Sequence, residues 1–485
     1  EGLPRLVAQP VPRLTLPLID LCGLPPERRE DAARRIAEDD ARQPFDLAKA
    51  PLLRAKVVRL APDSHRLLLT LHHIVFDGVS IYRILMPELT ELYAAFARGG
   101  PPPPAPLRVQ YADYALWRSD RLETDRLRRE LDYWRAKLAD APTLNLPSDR
   151  PRPASPSHRG AMETFALTPE LTDALKGLSA RQGVTLYVTL LAAFKAMLHR
   201  YTGQDDIVIG AVTDTRRRPE LENVIGYFLN SLALRSRPTG ETRFRDYLRE
   251  VQATVVDALD ASNVPFDRIV RELRVQRHGA RHPLFQVLFS IEPPAPPFAD
   301  GWDLTQMDVA VTTAKFDLYL ELDERDDRLI GRFLYSADLF DAATIRRMIG
   351  HWTTLLGGAV ADPQCALARL PLLTAAEQRE ILEHRNHTAC AYPRVTLHGW
   401  VEEAARRTPD AIAVTCQDQR LTYAELRRRV RGLAADLRTA GVRRGDVVGL
   451  AVERSCDMVA GLLAILRCGA AYLPLDPALP SARLK

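Results

Sequence analysis

The chain has little lysine, no paired cysteines and no long uncharged apolar run. Only seven of its 66 basic residues are Lys, and 62 acids oppose them, leaving a net charge of +4. The arginines are scattered among the acids, as a coding bias would leave them. No basic stripe with interleaved aromatics is present, so the usual footprint of a nucleic-acid binder is missing. Six cysteines (Cys22, Cys365, Cys390, Cys416, Cys456 and Cys468) show no CxxC pair and no regular spacing. Neither a disulfide framework nor a zinc site is expected, and reduced thiols are the default. No stretch reaches the ~18 uncharged apolar residues of a membrane span, and the N-terminus lacks the signal-peptide pattern. The expectation is a cytoplasmic protein with no membrane and no nucleic-acid partner.

What is present is a folded chain of some size. Hydrophobic content of 46% and charged content of 26% over 485 residues allow a large core. At roughly 150 residues per domain, about three domains or lobes are expected. The sequence predicts strands over 13–21, 52–60 and 66–75, and helices over 26–43, 80–98, 109–119 and 122–140. The Gly99–Pro104 breaker reads as a stiff extended connector. Pro147–Pro156 reads as a bridge between two lobes. Beyond it come a strand at 163–167, helices at 168–182 and 187–201, and buried strands at 206–210 and 231–235. A further strand at 283–291 runs into a Pro-rich loop over Glu292–Pro297. Strands at 316–322 and 329–335 and a helix at 342–359 complete this part. A linker follows, with one short helix, and a fresh α/β unit starts near His398.

The stretch that carries chemistry is His72-His73-Ile74-Val75-Phe76-Asp77-Gly78, at the end of the apolar run Leu67–Leu71. Histidine moves protons near neutral pH, Asp can tie down the backbone of a turn, and Gly lets another group come close. Three readings compete. Both histidines are core residues capping a strand; or they bind a metal; or one His is an acid–base group and the other packs. Neighbouring side chains on a strand face opposite ways, and no third ligand lies at a familiar spacing, which weakens the metal reading. The same alternation favours one imidazole in a cleft and one in the core.

His72-His73-xxx-Asp77-Gly78 resembles the HHxxxDG signature of condensation domains of nonribosomal peptide synthetases, within the chloramphenicol-acetyltransferase-like superfamily. Further stretches resemble other condensation motifs in the family's order. They are Tyr111-Ala-Asp113-Tyr114-Ala-Leu-Trp117, Ile225–Leu232, Val264-Pro265-Phe266-Asp267, His282–Val287 and Lys315-Phe316-Asp317-Leu318. Leu421–Leu426 and Arg467–Pro477 resemble the first two core motifs of adenylation domains. The resemblance implies an α/β (α+β) fold of two lobes with a tunnel between them, plus part of the N-terminal subdomain of an adenylate-forming enzyme. The expected division is 1–146 for the N-lobe, its first part missing, 147–362 for the C-lobe, 363–395 for the linker and 396–485 for the adenylation part.

The implied reaction is amide formation, the amine of one carrier-bound aminoacyl group attacking the thioester of a carrier-bound donor. His73 and Gly78 are the expected catalytic residues, Gly78 through its backbone N–H. His72 and Asp77 are expected to support the turn. Asn230, Ser231 and Gln286 are candidate tunnel residues, with a strand-end cap the competing role for Asn230 and a hydrogen bond across the lobe junction for Gln286. Trp117, Phe228, Phe266 and Phe285 are expected in the core, and Asp317 in an ion pair. No covalently bound cofactor and no metal is expected. Substrates arrive on phosphopantetheine arms of upstream donor and downstream acceptor carrier proteins. ATP and Mg belong to a complete adenylation domain, whose remainder is a further partner. The alternatives are a weakly active carrier-binding platform, or an ester-forming or epimerisation-type relative. In the superfamily the signature Asp pairs with an Arg for which the family's second motif supplies a candidate. That motif is not found before His72, so Asp77 is expected without its partner.

Overall fold

The computed structural model describes residues 6–10, 13–100, 107–120, 124–274, 281–292, 302, 313–325, 328–478 and 480. The Pro101–Pro104 connector, and the Pro-rich loop beyond Glu292, lie outside the described residues. The chain divides into two compact units, 1–381 and 382–485.

The first unit opens with β1 (Leu18–Asp20), helix α1 (Pro26–Arg42), β2 (Leu53–Ala61) and β3 (Ser64–Leu71). These strands form a three-stranded sheet, β1 parallel and β3 antiparallel to β2. Two sequence expectations change here. The 13–21 strand shrinks to three residues, and the strand expected through Val75 stops at Leu71. His72 and His73 therefore lie in a turn, where strand alternation no longer decides which way they face. From Gly78 the chain is helical, a wide turn over Ser80–Leu85 leading into α2 (Met86–Ala97). Helices α3 (Tyr111–Asp120) and α4 (Asp125–Leu138) follow; the Thr124 side chain caps α4 by accepting from the Leu127 N–H.

The main core lies under a six-stranded sheet. It is built from β4 (Gly160–Ala166), α5 (Pro169–Gln182), α6 (Leu186–Thr202), β5 (Ile207–Asp214), β6 (Leu229–Ser236), α7 (Phe244–Asp260), α8 (Phe266–Glu272), β7 (Val287–Glu292), β8 (Leu318–Arg325), β9 (Arg328–Ser336) and α9 (Ala342–Ala361). The strand order is β4-β9-β8-β7-β5-β6, with β7 parallel to both neighbours. Helix α6 is largely apolar and buried almost throughout, its Lys195 donating to the Leu234 carbonyl and Ser236 Oγ, which suits a helix enclosed by sheet and neighbouring helices. Phe194 on α6 meets Phe289 and Phe333 of the sheet. Leu367 and Leu370, within the span expected as linker, belong to this core.

The second unit has its own small core around Leu426, Val430, Leu463 and Ile465. Its helix Tyr423–Thr439 starts with a capping box, Thr422 and Glu425 each accepting from the other's backbone. None of the helices among the described residues is long and apolar enough to cross a membrane.

Candidate active site

The turn after β3 is held by Asp77, which is fully buried. Its Oδ1 accepts the Ser80 N–H at 2.8 Å, so Asp77 caps the helix that starts at Gly78. Its Oδ2 accepts the Phe228 N–H at 2.9 Å. Arg216, just beyond β5, closes the arrangement with two parallel bonds, Nη1 to Oδ2 at 2.7 Å and Nη2 to Oδ1 at 2.9 Å. The expectation of an unpaired Asp77 is thus wrong. The partner comes from 139 residues downstream, and no N-terminal motif is needed to supply it. Burial pushes the Asp77 carboxyl up, but Arg216 and the two N–H donors outweigh it, and the net shift is below the usual carboxylate range. The guanidinium also donates to Ser80 Oγ, at 2.8 Å, and lies 4.0 Å over the Phe228 ring.

The separate sequence motifs converge here. Ser80 Oγ donates to the Gly226 carbonyl and accepts the Gly226 N–H. The Tyr111 ring occupies the space a Cβ on Gly226 would need, so only glycine fits. The Tyr111 hydroxyl donates to the Tyr227 carbonyl, and the Tyr114 hydroxyl pairs with Thr215 Oγ1. A turn near the start of the chain is therefore locked to the β5–β6 segment of the six-stranded sheet.

The two histidines are separated by hydrogen bonding. His73 Nδ1 lies 2.8 Å from the Phe76 carbonyl, which can only accept, so Nδ1 carries a proton and the neutral ring keeps its lone pair on Nε2. Its ring stacks on Phe76 and meets the edge of Tyr227, and the residue is exposed. His72 has the opposite arrangement: Nδ1 accepts the Ile74 N–H at 3.2 Å, and the ring edge packs against Phe45. What distinguishes the two rings is not strand alternation but two different backbone partners in a turn. Gly78, at the first helical position, makes no hydrogen bond through its N–H among the described residues, as first-turn donors do not. Beside it lies a group not singled out from the sequence. Glu292 Oε2 is 3.0 Å from where a Gly78 Cβ would sit.

The remaining candidates fall elsewhere. Asn230 is buried and fully engaged: Nδ2 donates to the Ser262 and Val264 carbonyls, and Oδ1 accepts from Ser231 and Phe266. It clamps the loop leading to α8 and has nothing left for a substrate. Ser231 is half-buried. Gln286 is buried, accepting the Leu144 N–H and donating to the His282 carbonyl. Asp317 forms a two-point pair with Arg152, not with Lys315. Phe228 and Phe285 are buried, Phe266 is partly so, and Trp117 is 37% exposed, against expectation. The six cysteines are free thiols. No cluster of metal-ligating side chains occurs among the described residues.

Comparison with known families identifies the domain that carries this turn. The condensation-domain family model matches residues 2–382, and that of AMP-binding enzymes matches 401–485. The chain belongs to the condensation-domain family of nonribosomal peptide synthetases and continues into the start of an AMP-binding domain. It is 43% identical over 479 residues to a linear gramicidin synthase of Brevibacillus parabrevis, covering 97% of this chain and 9% of that protein. It is 42% identical over 487 residues to phosphinothricin tripeptide synthetase PhsC of Streptomyces viridochromogenes, covering 97% and 44%. The chain thus spans less than half the length of either relative. Among solved structures, the fold matches a four-domain nonribosomal peptide synthetase, AB3403, bound to AMP and glycine. There the TM-score is 0.72 at 24% identity, over 98% of this chain and 36% of that one. It also matches the first condensation domain of the calcium-dependent antibiotic synthetase, with a TM-score of 0.63 at 22% identity, over 74% and 78%.

Proposed function

We propose that this domain joins two carrier-bound substrates through an amide bond. The amine of an acceptor aminoacyl thioester attacks the carbonyl of a donor thioester, and the donor's thiol leaves. The observation that carries this reading is the His73 ring, whose Nδ1–H is tied to Phe76 so that Nε2 is available as a base. The attacking nitrogen sheds a proton to Nε2, and the N–H of Gly78, at the start of a helix, is the donor for the oxygen that becomes negative in the tetrahedral intermediate. His72 and the Asp77–Arg216 pair hold the turn. The three-stranded and six-stranded layers are read as the two lobes, and the carrier arms enter between them.

An amine is already a good nucleophile and a thioester a good electrophile. Alignment can lower the barrier by ~7–11 kcal/mol, whereas a general base typically contributes ~10²–10⁴-fold. Positioning is the larger part and His73 the smaller, specific one. The donor and acceptor carriers, and an AMP-binding domain that activates an amino acid with ATP, are the expected partners. The test uses the parent synthetase with donor and acceptor carriers loaded with aminoacyl arms. Amide product that falls by roughly 10²–10⁴-fold in His73→Ala supports the reading. Carriers that bind without product in the wild-type protein would sink it.

A further inference from the structure

Among the described residues, the face of the six-stranded sheet that meets the Gly78 turn carries one carboxyl with no ion-pair partner. Alternation along β7 sends Phe289 and Ile291 to the core and leaves Ser290 and Glu292 on the opposite face. Strand pairing sets Glu292 beside Asp323, Ser290 beside Glu321, and Glu321 beside Arg332. Arg332 donates to Glu321 at 2.9 Å and to Asp323 at 3.3 Å, and Arg325 donates to Asp323. Among the described residues these two guanidiniums thus serve Glu321 and Asp323, and neither bonds to Glu292. Glu292 is half-buried and has no hydrogen bond or ion pair among the described residues. Asp323, only 6% exposed, keeps Oδ1 buried and without a partner, so this face lacks a donor a second time. Burial, reinforced by Glu321, Asp323 and Asp77 and opposed by Arg332, pushes the Glu292 carboxyl up to about 7. Burial, with Glu292 and Glu321 adding to it, pushes up the hydroxyl of Tyr82, on the helix that starts at Gly78.

A site short of one positive charge among its described residues, set against the proposed reacting turn, suits a substrate that arrives as a cation. An amino group is such a substrate, and as an ammonium it has no lone pair with which to attack. We infer that Glu292 receives the ammonium of the acceptor beside the Gly78 turn and takes one proton from it, so that a neutral amine meets the donor thioester. This rests on the amide-forming reading. The ammonium and the Glu292 carboxylate become an amine and a carboxylic acid. The amine nitrogen then bonds to the thioester carbon, the carbon–sulfur bond breaks, and the nitrogen's surplus proton passes through His73 to the departing thiolate. Glu292 returns its own proton to solvent.

The experiment is single-turnover amide formation by the parent synthetase, wild type against Glu292→Gln, with two acceptor arms. A glycyl arm is largely ammonium near neutral pH; an aminooxyacetyl arm has an uncharged nitrogen. The expected result is a roughly ten- to hundredfold loss with the glycyl arm near pH 7, the size of one hydrogen bond to a charged group. The loss should shrink as pH rises, the aminooxyacetyl rate should stay within about twofold, and Glu292→Asp should restore part of the glycyl rate. An equal loss on both arms, or none on the glycyl arm, overturns the inference while leaving amide formation intact. A wild-type protein that joins neither arm overturns the amide-forming reading and this inference with it.

Discussion

Two carboxyls flank one turn, and they are treated in opposite ways. Asp77 is fully buried and saturated, with a two-point Arg216 contact and two backbone donors. Glu292 sits against the next residue, Gly78, half-buried, without a partner among the described residues and surrounded by other acids. The first is held below the usual carboxylate range and the second above it. A buried charge satisfied on every side fixes a geometry, whereas a buried titratable group left unsatisfied is where chemistry or ligand capture is expected. Structure thus falls to one side of the turn and reactivity to the other.

The largest effect should come from opening the satisfied side. Asp77→Ala leaves the Arg216 guanidinium buried over Phe228 with only the part-exposed Asp214, at 3.2 Å, as a counter-ion, and removing one partner of a buried pair costs about 3–5 kcal/mol. Hydrogen exchange of the segments around 77–85 and 214–228 would read this as lost protection. The double variant Asp77→Leu/Arg216→Met should recover a good part of it, since no charge is stranded. Because the folded-state pKa of Asp77 is depressed, its contribution is present above the ordinary value of 3.8 and is lost as pH falls through the folded value. A single variant as stable as the wild type near neutral pH would erase the contrast at its stronger end.

The motif turn is readable because its residues are contiguous, and so are the long helices, whose apolar spacing spans many turns. Arg216 is not readable. It lies among Arg216-Arg217-Arg218, and nothing local distinguishes the one that points at Asp77. Ile74 and Val75 prolong an apolar run, so the pattern extends the strand four residues too far, although the chain turns at His72 to satisfy Asp77. Glu292 reads as the start of a loop, whereas it ends β7 and takes its meaning from Asp323 and Gly78, both distant in sequence. Helix α7 carries buried residues at 244, 247, 248, 251 and 258, a helical spacing that is legible in the sequence but lies between stronger strand signals on either side. Local pattern gives elements; pairings across more than a hundred residues need the fold.

Next in size is Asn230, which separates a clamp from a substrate contact. Asn230→Ala strands the Ser262 and Val264 carbonyls and the Phe266 N–H, and each unsatisfied buried group costs about 1–3 kcal/mol. A loss of about 2–4 kcal/mol in local stability is expected, with the acceptor KM unchanged in whatever fraction stays folded. A stable variant with a raised KM would instead return Asn230 to the substrate path. Smaller is the pH effect at Glu292. Its folded pKa, about 7, exceeds the ordinary value of 4.5, so its contribution is complete below 4.5 and is lost as pH rises through 7. Glu292→Gln should therefore be more stable than the wild type by up to about 3 kcal/mol near pH 8 and no more stable near pH 4. Melting curves of the two proteins at both pH values check the sign.

The smallest effect is the sharpest on the reactive side. Gly78→Ala keeps the backbone N–H that the oxygen would use, and alanine is favoured over glycine in a helix, so stability should change by no more than about 1 kcal/mol. The new Cβ would lie 3.0 Å from Glu292 Oε2, and the flexible carboxylate must move aside slightly. If Gly78 acts through its N–H alone, the variant turns over like the wild type on every acceptor. If Glu292 meets the ammonium at this spot, the rate with a glycyl arm falls severalfold while an uncharged aminooxyacetyl arm is spared. That is the selectivity of Glu292→Gln in weaker form. A loss shared equally by the two arms would place the fault in the turn itself and move Glu292 out of the reaction.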